Sequence, residues 1–136
     1  MDRKIIIIGG DLRTIKLAKM LANEENIVYT YGLEKAEELK GVANIIFCEK
    51  LTEAINKSEI IIGPIPFTSD GININTPFSD KKLTVRELMH IINAKILIAG
   101  SISPEVYELA NDEYIEINVI AIKNKKVARG LIDNNK

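Results

Sequence analysis

Four consecutive isoleucines, Ile5–Ile8, run directly into Gly9-Gly10-Asp11-Leu12-Arg13, and this stretch constrains the chain more than any other. An apolar run without polar alternation suits a strand buried on both faces, the central position of a parallel sheet. The two glycines let the backbone turn sharply and come close to a ligand. Asp11 is placed to cap a helix over Leu12–Asn23, with Ile15, Leu17, Ala18, Leu21 and Ala22 as its apolar positions. Strand, glycine turn and capped helix open a βαβ unit. Ligands of open α/β sheets gather at the carboxyl ends of the strands, where Gly9 to Arg13 fall.

The same alternation continues along the chain. Ile27–Tyr31 reads as a second strand, Glu34–Lys40 as a short polar helix, Ala43–Phe47 as a third strand and Leu51–Lys57 as a brief helix with Thr52 near its start. Glu59–Ile62 reads as another central strand, stopped by Gly63-Pro64-Ile65-Pro66. Phe67–Lys82 is the longest irregular piece. It holds the turn signal Ser69-Asp70-Gly71 and then the alternating Ile72-Asn73-Ile74-Asn75, which predicts a small β excursion. A loop of this length in a compact domain is usually functional or mobile.

Leu83–Ile92 reads as a helix with Ser79, Asp80 or Thr84 as alternative caps, and Lys95–Ala99 as a fifth strand. Ser103-Pro104 fits the start of a helix through about Asn111. Tyr114–Ile117 and Val119–Ile122 form a last strand or hairpin, before a basic, then Asn-rich, tail over 123–136. The pattern predicts one doubly wound α/β domain in three layers, Rossmann-like or flavodoxin-like, with a mostly parallel sheet of five to six strands.

Composition narrows the classes of function. A formal net charge of −1 over 136 residues supplies no basic stripe for nucleic acid. The single Cys48 leaves no intramolecular disulfide and fits a reducing compartment. No apolar run approaches the roughly 20 residues that span a bilayer. The apolar part of the N-terminus is too short for a secretory signal. These features lead us to expect a cytoplasmic protein that binds neither nucleic acid nor membrane.

The glycine turn invites a dinucleotide reading, which fails on spacing. With Gly10 as the first glycine, Leu12 and Ile15 stand where the other two belong, and Thr30-Tyr31-Gly32 replaces the acid that holds the ribose. No cofactor site and no metal site are therefore expected in this chain. The sole histidine, His90, lies in a helix far from any strand end, and Cys48 has no partner His or second Cys. The pieces that remain are three glycine-bearing strand ends on one sheet edge. Gly9, Gly10, Asp11, Arg13, Thr68, Ser101 and Ser103 are the candidate substrate-binding residues, through backbone N–H groups, hydroxyls and the Arg13 guanidinium. No catalytic residue can be named.

Read together, Ile-Ile-Gly-Gly-Asp-Leu-Arg (7–13), Gly-Pro-Ile-Pro-Phe-Thr (63–68) with Asp70-Gly71, and Pro77-Phe78-Ser79 leading to Ile98-Ala99-Gly100-Ser101-Ile102-Ser103 resemble the N-terminal domain of the A-type dipicolinate synthase subunit. The resemblance runs in order through residues 4–122. It implies a component of an oxidoreductase that works during sporulation, in the mother-cell cytoplasm, on a dihydrodipicolinate-level intermediate. It also implies a flavoprotein-like B-type partner and NADP held by a second, C-terminal domain. That domain is expected to be absent here, because no Gly-x-Gly-x-x-Gly occurs before Lys136. Nor does the Asn-x-x-Pro-Thr-x-Glu-Gly segment that usually joins the two domains.

Two functions follow. In the first, the domain holds a dicarboxylate at the carboxyl edge, with Arg13 on a carboxylate, facing a nicotinamide supplied by the second domain. In the second, it is a non-catalytic module that docks the flavoprotein-like partner, its own second domain or another copy of itself as a homodimer. The missing fingerprint favours the second for the isolated chain. A response-regulator receiver has a similar layout but needs paired acids where Gly9-Gly10 stand.

Overall fold

The isoleucine run becomes β1 (Lys4–Ile8), and each of its four isoleucines is 0% exposed. The computed structural model describes residues 3–92 and 96–99, and the backbone alone of 116–119. Successive side chains of a strand point to opposite faces. Ile5 and Ile7 accordingly enter one apolar cluster, and Ile6 and Ile8 the other. Both sheet faces are covered, so the strand has no polar side to show. Full burial of such side chains contributes about 1.5–3 kcal/mol each.

The sheet has the order β3-β2-β1-β4-β5-β6, from β2 (Ile27–Tyr31), β3 (Ile45–Phe47), β4 (Ile60–Ile62), β5 (Ile96–Ala99) and β6 (Glu116–Val119). Every neighbouring pair is parallel. The final segment, left open as strand or hairpin by the sequence, contributes one strand parallel to β5. The chain winds outward from β1 through β2 to β3, then returns to β4 on the other side of β1. The order therefore reverses between β1 and β4, and the crevice beyond their carboxyl ends is the switch point of the fold.

One face is covered by α1 (Leu12–Asn23), whose apolar positions Ile15, Leu17, Ala18, Leu21 and Ala22 are all buried as the spacing predicts. Asp11 caps it, its carboxylate accepting the Arg13 backbone N–H at 2.9 Å. Asn26 closes the far end through an Nδ2 bond to the Leu21 carbonyl at 2.8 Å. The other face is covered by α2 (Leu51–Ile55), α3 (Val85–Ile91) and three side chains of the long connection, Phe67, Ile74 and Leu83.

Three elements depart from the sequence reading. Glu34–Lys40 is no α-helix but a 3₁₀ turn at Glu37–Leu39. Its buried residues Leu33, Ala36 and Leu39 recur every third position, and the bonds Ala36→Leu33, Leu39→Ala36 and Lys40→Glu37 follow the same step. Side chains three apart eclipse in a 3₁₀ turn, and Leu33, Ala36 and Leu39 all enter the apolar cluster that also holds the buried face of α1. The helix expected over Leu51–Lys57 ends at Ile55 and begins after Lys50, without help from Thr52. Of the three candidate caps for α3, Thr84 takes the role. It accepts the Glu87 N–H at 3.0 Å, and its hydroxyl donates to the Glu87 carboxylate at 2.9 Å. The β excursion reduces to two antiparallel bridges, Thr68↔Ile74 and Asn73↔Thr84. The expected helix from Ser103 and the tail lie outside the described residues.

Candidate functional site

At the switch point lies a cleft of about 370 Å³ walled by Gly10, Asp11, Pro64, Ile65, Pro66, Ile74, Asn75, Thr76 and Pro77. Strand β1 delivers one wall and the connection after β4 delivers the rest. That connection includes Phe67–Lys82, read from sequence as functional or mobile, and it is tightly built. Phe67 is 0% exposed, and its ring lies so close to Gly63 that a Cβ there would sit 2.8 Å from it. The Ile65–Pro66 peptide is cis.

Asn75 fastens this segment to the first turn. Its carbonyl accepts the Gly10 N–H at 3.0 Å, its N–H donates to Phe67, its Nδ2 donates to Pro66 at 2.6 Å, and its Oδ1 accepts from Ser69 at 3.0 Å. Gly9 and Gly10 have φ of +60° and +109°, a region that side chains rarely adopt. A Cβ on Gly9 would stand 2.5 Å from the Asn75 carbonyl oxygen. The glycines thus give way to protein rather than to a ligand. The Gly9 N–H donates to Tyr31 at 2.8 Å, so both amide groups offered by sequence for an anion are already engaged.

The charged groups at the mouth are also joined. Arg13 donates through Nε and Nη2 to the Asp11 carboxylate at 2.9–3.2 Å, and Nη2 reaches the Ile65 carbonyl at 2.7 Å. The guanidinium therefore ties the start of α1 to the cleft wall. The Arg13 side chain holds the Asp11 carboxyl below its ordinary value, against the opposing effect of burial, and Asp11 raises Arg13 in return. Both side chains are well exposed, at 63% for Arg13 and 43% for Asp11, so water screens the pair.

Of the residues singled out by sequence, Gly10 and Asp11 line the cleft. Arg13 bonds to its wall, and Gly9 sits beneath it against Asn75 and Thr76. Thr68 serves the turn behind the cleft, donating to Asp70 at 3.1 Å and accepting the Gly71 N–H at 3.0 Å. Asp70 also accepts from the N–H groups of Asn73 and Ile72 and from the Asn73 amide, which together hold its carboxyl far below the ordinary range. Ser101 and Ser103 lie outside the described residues. Sequence reasoning missed Asn75, Thr76 and the three prolines. The alternation of 72–75 was their only signal, since it sets Ile74 inward beside them.

Among the described residues, no group of three or more metal-ligating side chains occurs, and no helix is long and apolar enough to cross a membrane. At the first turn the Gly9, Gly10 and Arg13 N–H groups bond to Tyr31, Asn75 and Asp11, and Asn75 and Thr76 stand against Gly9.

A six-stranded parallel sheet in this order, with a proline-walled cleft at its switch point, defines a Rossmann-type α/β domain. Residues 4–121 match the sequence profile of the N-terminal domain of the A-type dipicolinate synthase subunit. The chain belongs to that family. Solved structures agree on the fold. The A chain of dipicolinate synthase from Bacillus subtilis superposes with a TM-score of 0.73 at 17% identity, over 89% of this chain and 41% of that one. The corresponding dipicolinate synthase chain from Bacillus halodurans gives 0.68 at 19% identity, over 85% and 40%. An imine reductase variant from Myxococcus stipitatus, in complex with NAD+, gives 0.59 at 17% identity, over 88% and 40%. The chain thus spans about two fifths of the length of each. No curated relative matches it.

Proposed function

We propose that this chain is the substrate-side domain of an A-type dipicolinate synthase subunit, taking part in the oxidation of a dihydrodipicolinate-level intermediate to dipicolinate. The family match over residues 4–121 carries this reading. The cleft at the switch point supports it. Pro64, Pro66, Pro77 and Ile74 offer apolar walls to a ring, and about 370 Å³ is within the usual size of small-ligand sites. Arg13 stands at the mouth as the donor for a carboxylate, which would share the guanidinium with Asp11 or displace Asp11 from it. The domain's work is to bind and orient. NADP belongs, in this reading, to a separate C-terminal domain, and a flavoprotein-like B-type chain is the protein partner.

Calorimetric titration of the chain with pyridine-2,6-dicarboxylate tests the reading. Saturable binding that weakens in Arg13→Ala is expected. The absence of binding would turn the assignment toward a docking module for the flavoprotein-like partner, a second domain or another copy of the chain. The engaged N–H groups of Gly9 and Gly10 and the exposed Leu12 and Ile72 are the observations on that side.

A further inference from the structure

Among the residues that wall the cleft at the switch point, Asp11 alone carries a charge. Arg13 bonds to both of its carboxylate oxygens, yet the Asp11 side chain is still 43% exposed. The guanidinium holds its carboxyl below the ordinary value, so the cleft contains a carboxylate at neutral pH. The polar groups around it supply few donors. Pro64, Pro66 and Pro77 have no N–H. The Gly10 N–H is bonded to Asn75 and the Asn75 N–H to Phe67. The Thr76 hydroxyl donates to the Lys81 carbonyl at 3.3 Å.

Arg13 brings the opposite charge to the mouth, with most of its donors committed. Nε faces Asp11, and Nη2 is divided between Asp11 and the Ile65 carbonyl. Among the described residues Nη1 has no partner, and it is the group left for a ligand carboxylate. A dicarboxylate fills it with one of its two charges. The second charge is then left in a cleft whose own charge is the Asp11 carboxylate, and like charges brought together oppose binding. A hydrogen on a ring nitrogen reverses the balance. As an ammonium it offsets the second carboxylate, and it donates a charge-assisted hydrogen bond to Asp11.

We infer, resting on the reading of this chain as a substrate-side domain, that Asp11 sets the specificity of the cleft: it favours a reduced ring whose nitrogen carries hydrogen over the aromatic pyridine dicarboxylate, whose nitrogen carries none at neutral pH. Arg13 takes one carboxylate of either ring, and only the reduced ring has a donor for Asp11. In the reaction proposed above, the same carboxylate weakens the hold on the aromatic product.

The test is calorimetric titration of the whole chain, as wild type and as Asp11→Asn, with two probes: cis-piperidine-2,6-dicarboxylate, whose ring nitrogen is an ammonium, and pyridine-2,6-dicarboxylate. Wild type should bind the piperidine at least about fivefold more tightly, the size of one hydrogen bond. Asp11→Asn keeps a helix cap and removes the charge. It should cut the ratio of the two affinities by about fivefold or more, with the pyridine bound more tightly than by wild type. Comparing ratios cancels the difference in ring shape. Equal or tighter binding of the pyridine by wild type would overturn the inference. So would an unchanged ratio in the folded variant, while binding of both probes would leave the substrate-side reading in place. No saturable binding of either probe to either protein would remove that reading, and the inference with it. Should Asp11→Asn fail to fold, Asp11→Ser, another good cap without charge, decides by the same ratio.

Discussion

The carbonyl oxygen of Asn75 accepts the Gly10 N–H at 3.0 Å, across a separation of 65 residues, and stands 2.5 Å from where a Cβ on Gly9 would lie. Asn75 of the long connection thereby sets the requirement for Gly9, whereas a Cβ on Gly10 would meet the Thr14 side chain, at 2.1 Å from its Oγ1. The Asn75 contact also turns the turn's amide away from any ligand.

Gly9→Ala should destabilise the chain by about 2–5 kcal/mol. The left-handed backbone accounts for about 1–2 of this and the overlap with Asn75 and Thr76 for about 1–3. Urea unfolding measures it. A cost below about 0.5 kcal/mol would show that the connection shifts freely away from the turn.

Removing Arg13 should affect binding far more than folding. Its side chain is 63% exposed, so Arg13→Ala should change stability by no more than about 0.5 kcal/mol. In the complete enzyme, the same change should raise KM about tenfold or more, because a charge-assisted bond to a substrate carboxylate is worth about 1.5–3 kcal/mol. Steady-state kinetics on the folded variant would settle its role.

Acid should loosen the turn at Asp70. Its carboxyl is held below the ordinary range mainly by the Asn73 N–H, then by the Asn73 amide and the Ile72 N–H. A depressed folded-state value means that the stabilisation is full above the unfolded value of about 3.9 and fades as pH falls below it. Amide exchange at Ile72 and Asn73, corrected for intrinsic rates, should accelerate from about pH 4 downward. Asp70→Asn should show the faster exchange at neutral pH, with the difference narrowing as acid protonates Asp70. Equal protection in the two proteins at pH 7 would assign the order of this turn to other contacts.

Two isoleucines should separate centre from edge. Ile6 is 0% exposed and Ile46, on the outer strand β3, is 44% exposed. Ile6→Ala should cost about 2–5 kcal/mol, and Ile46→Ala well under 1. Comparable denaturation midpoints for the two variants would contradict the placement of β1 at the sheet centre.

The sequence by itself determined the sheet and its direction. Ile5–Ile8, Ile60–Ile62 and Ile96–Ala99 lack polar alternation because helices or loop side chains cover both faces, and they occupy the inner strands β1, β4 and β5. Helix α1 was legible to the residue, since its cap and its apolar spacing are local properties. The 3₁₀ turn at Glu37–Leu39 was not legible, because Leu33, Ala36 and Leu39 enter the cluster that also holds the buried face of α1, which is a tertiary arrangement and not a local one. The site divides in the same way. That Gly10 and Asp11 stand at the ligand-binding rim follows from their place at the carboxyl end of the first parallel strand, which the pattern contains, whereas the strand order that opens a cleft there came from the structure. That Asn75 and Thr76 fill the approach to Gly9, that Arg13 is held by Asp11 and Ile65, and that Thr68 serves a turn instead of the cleft were decided by tertiary contacts. A donor's chemistry is written in its residue type, but its availability depends on which distant carbonyl or carboxylate folding brings within about 3 Å.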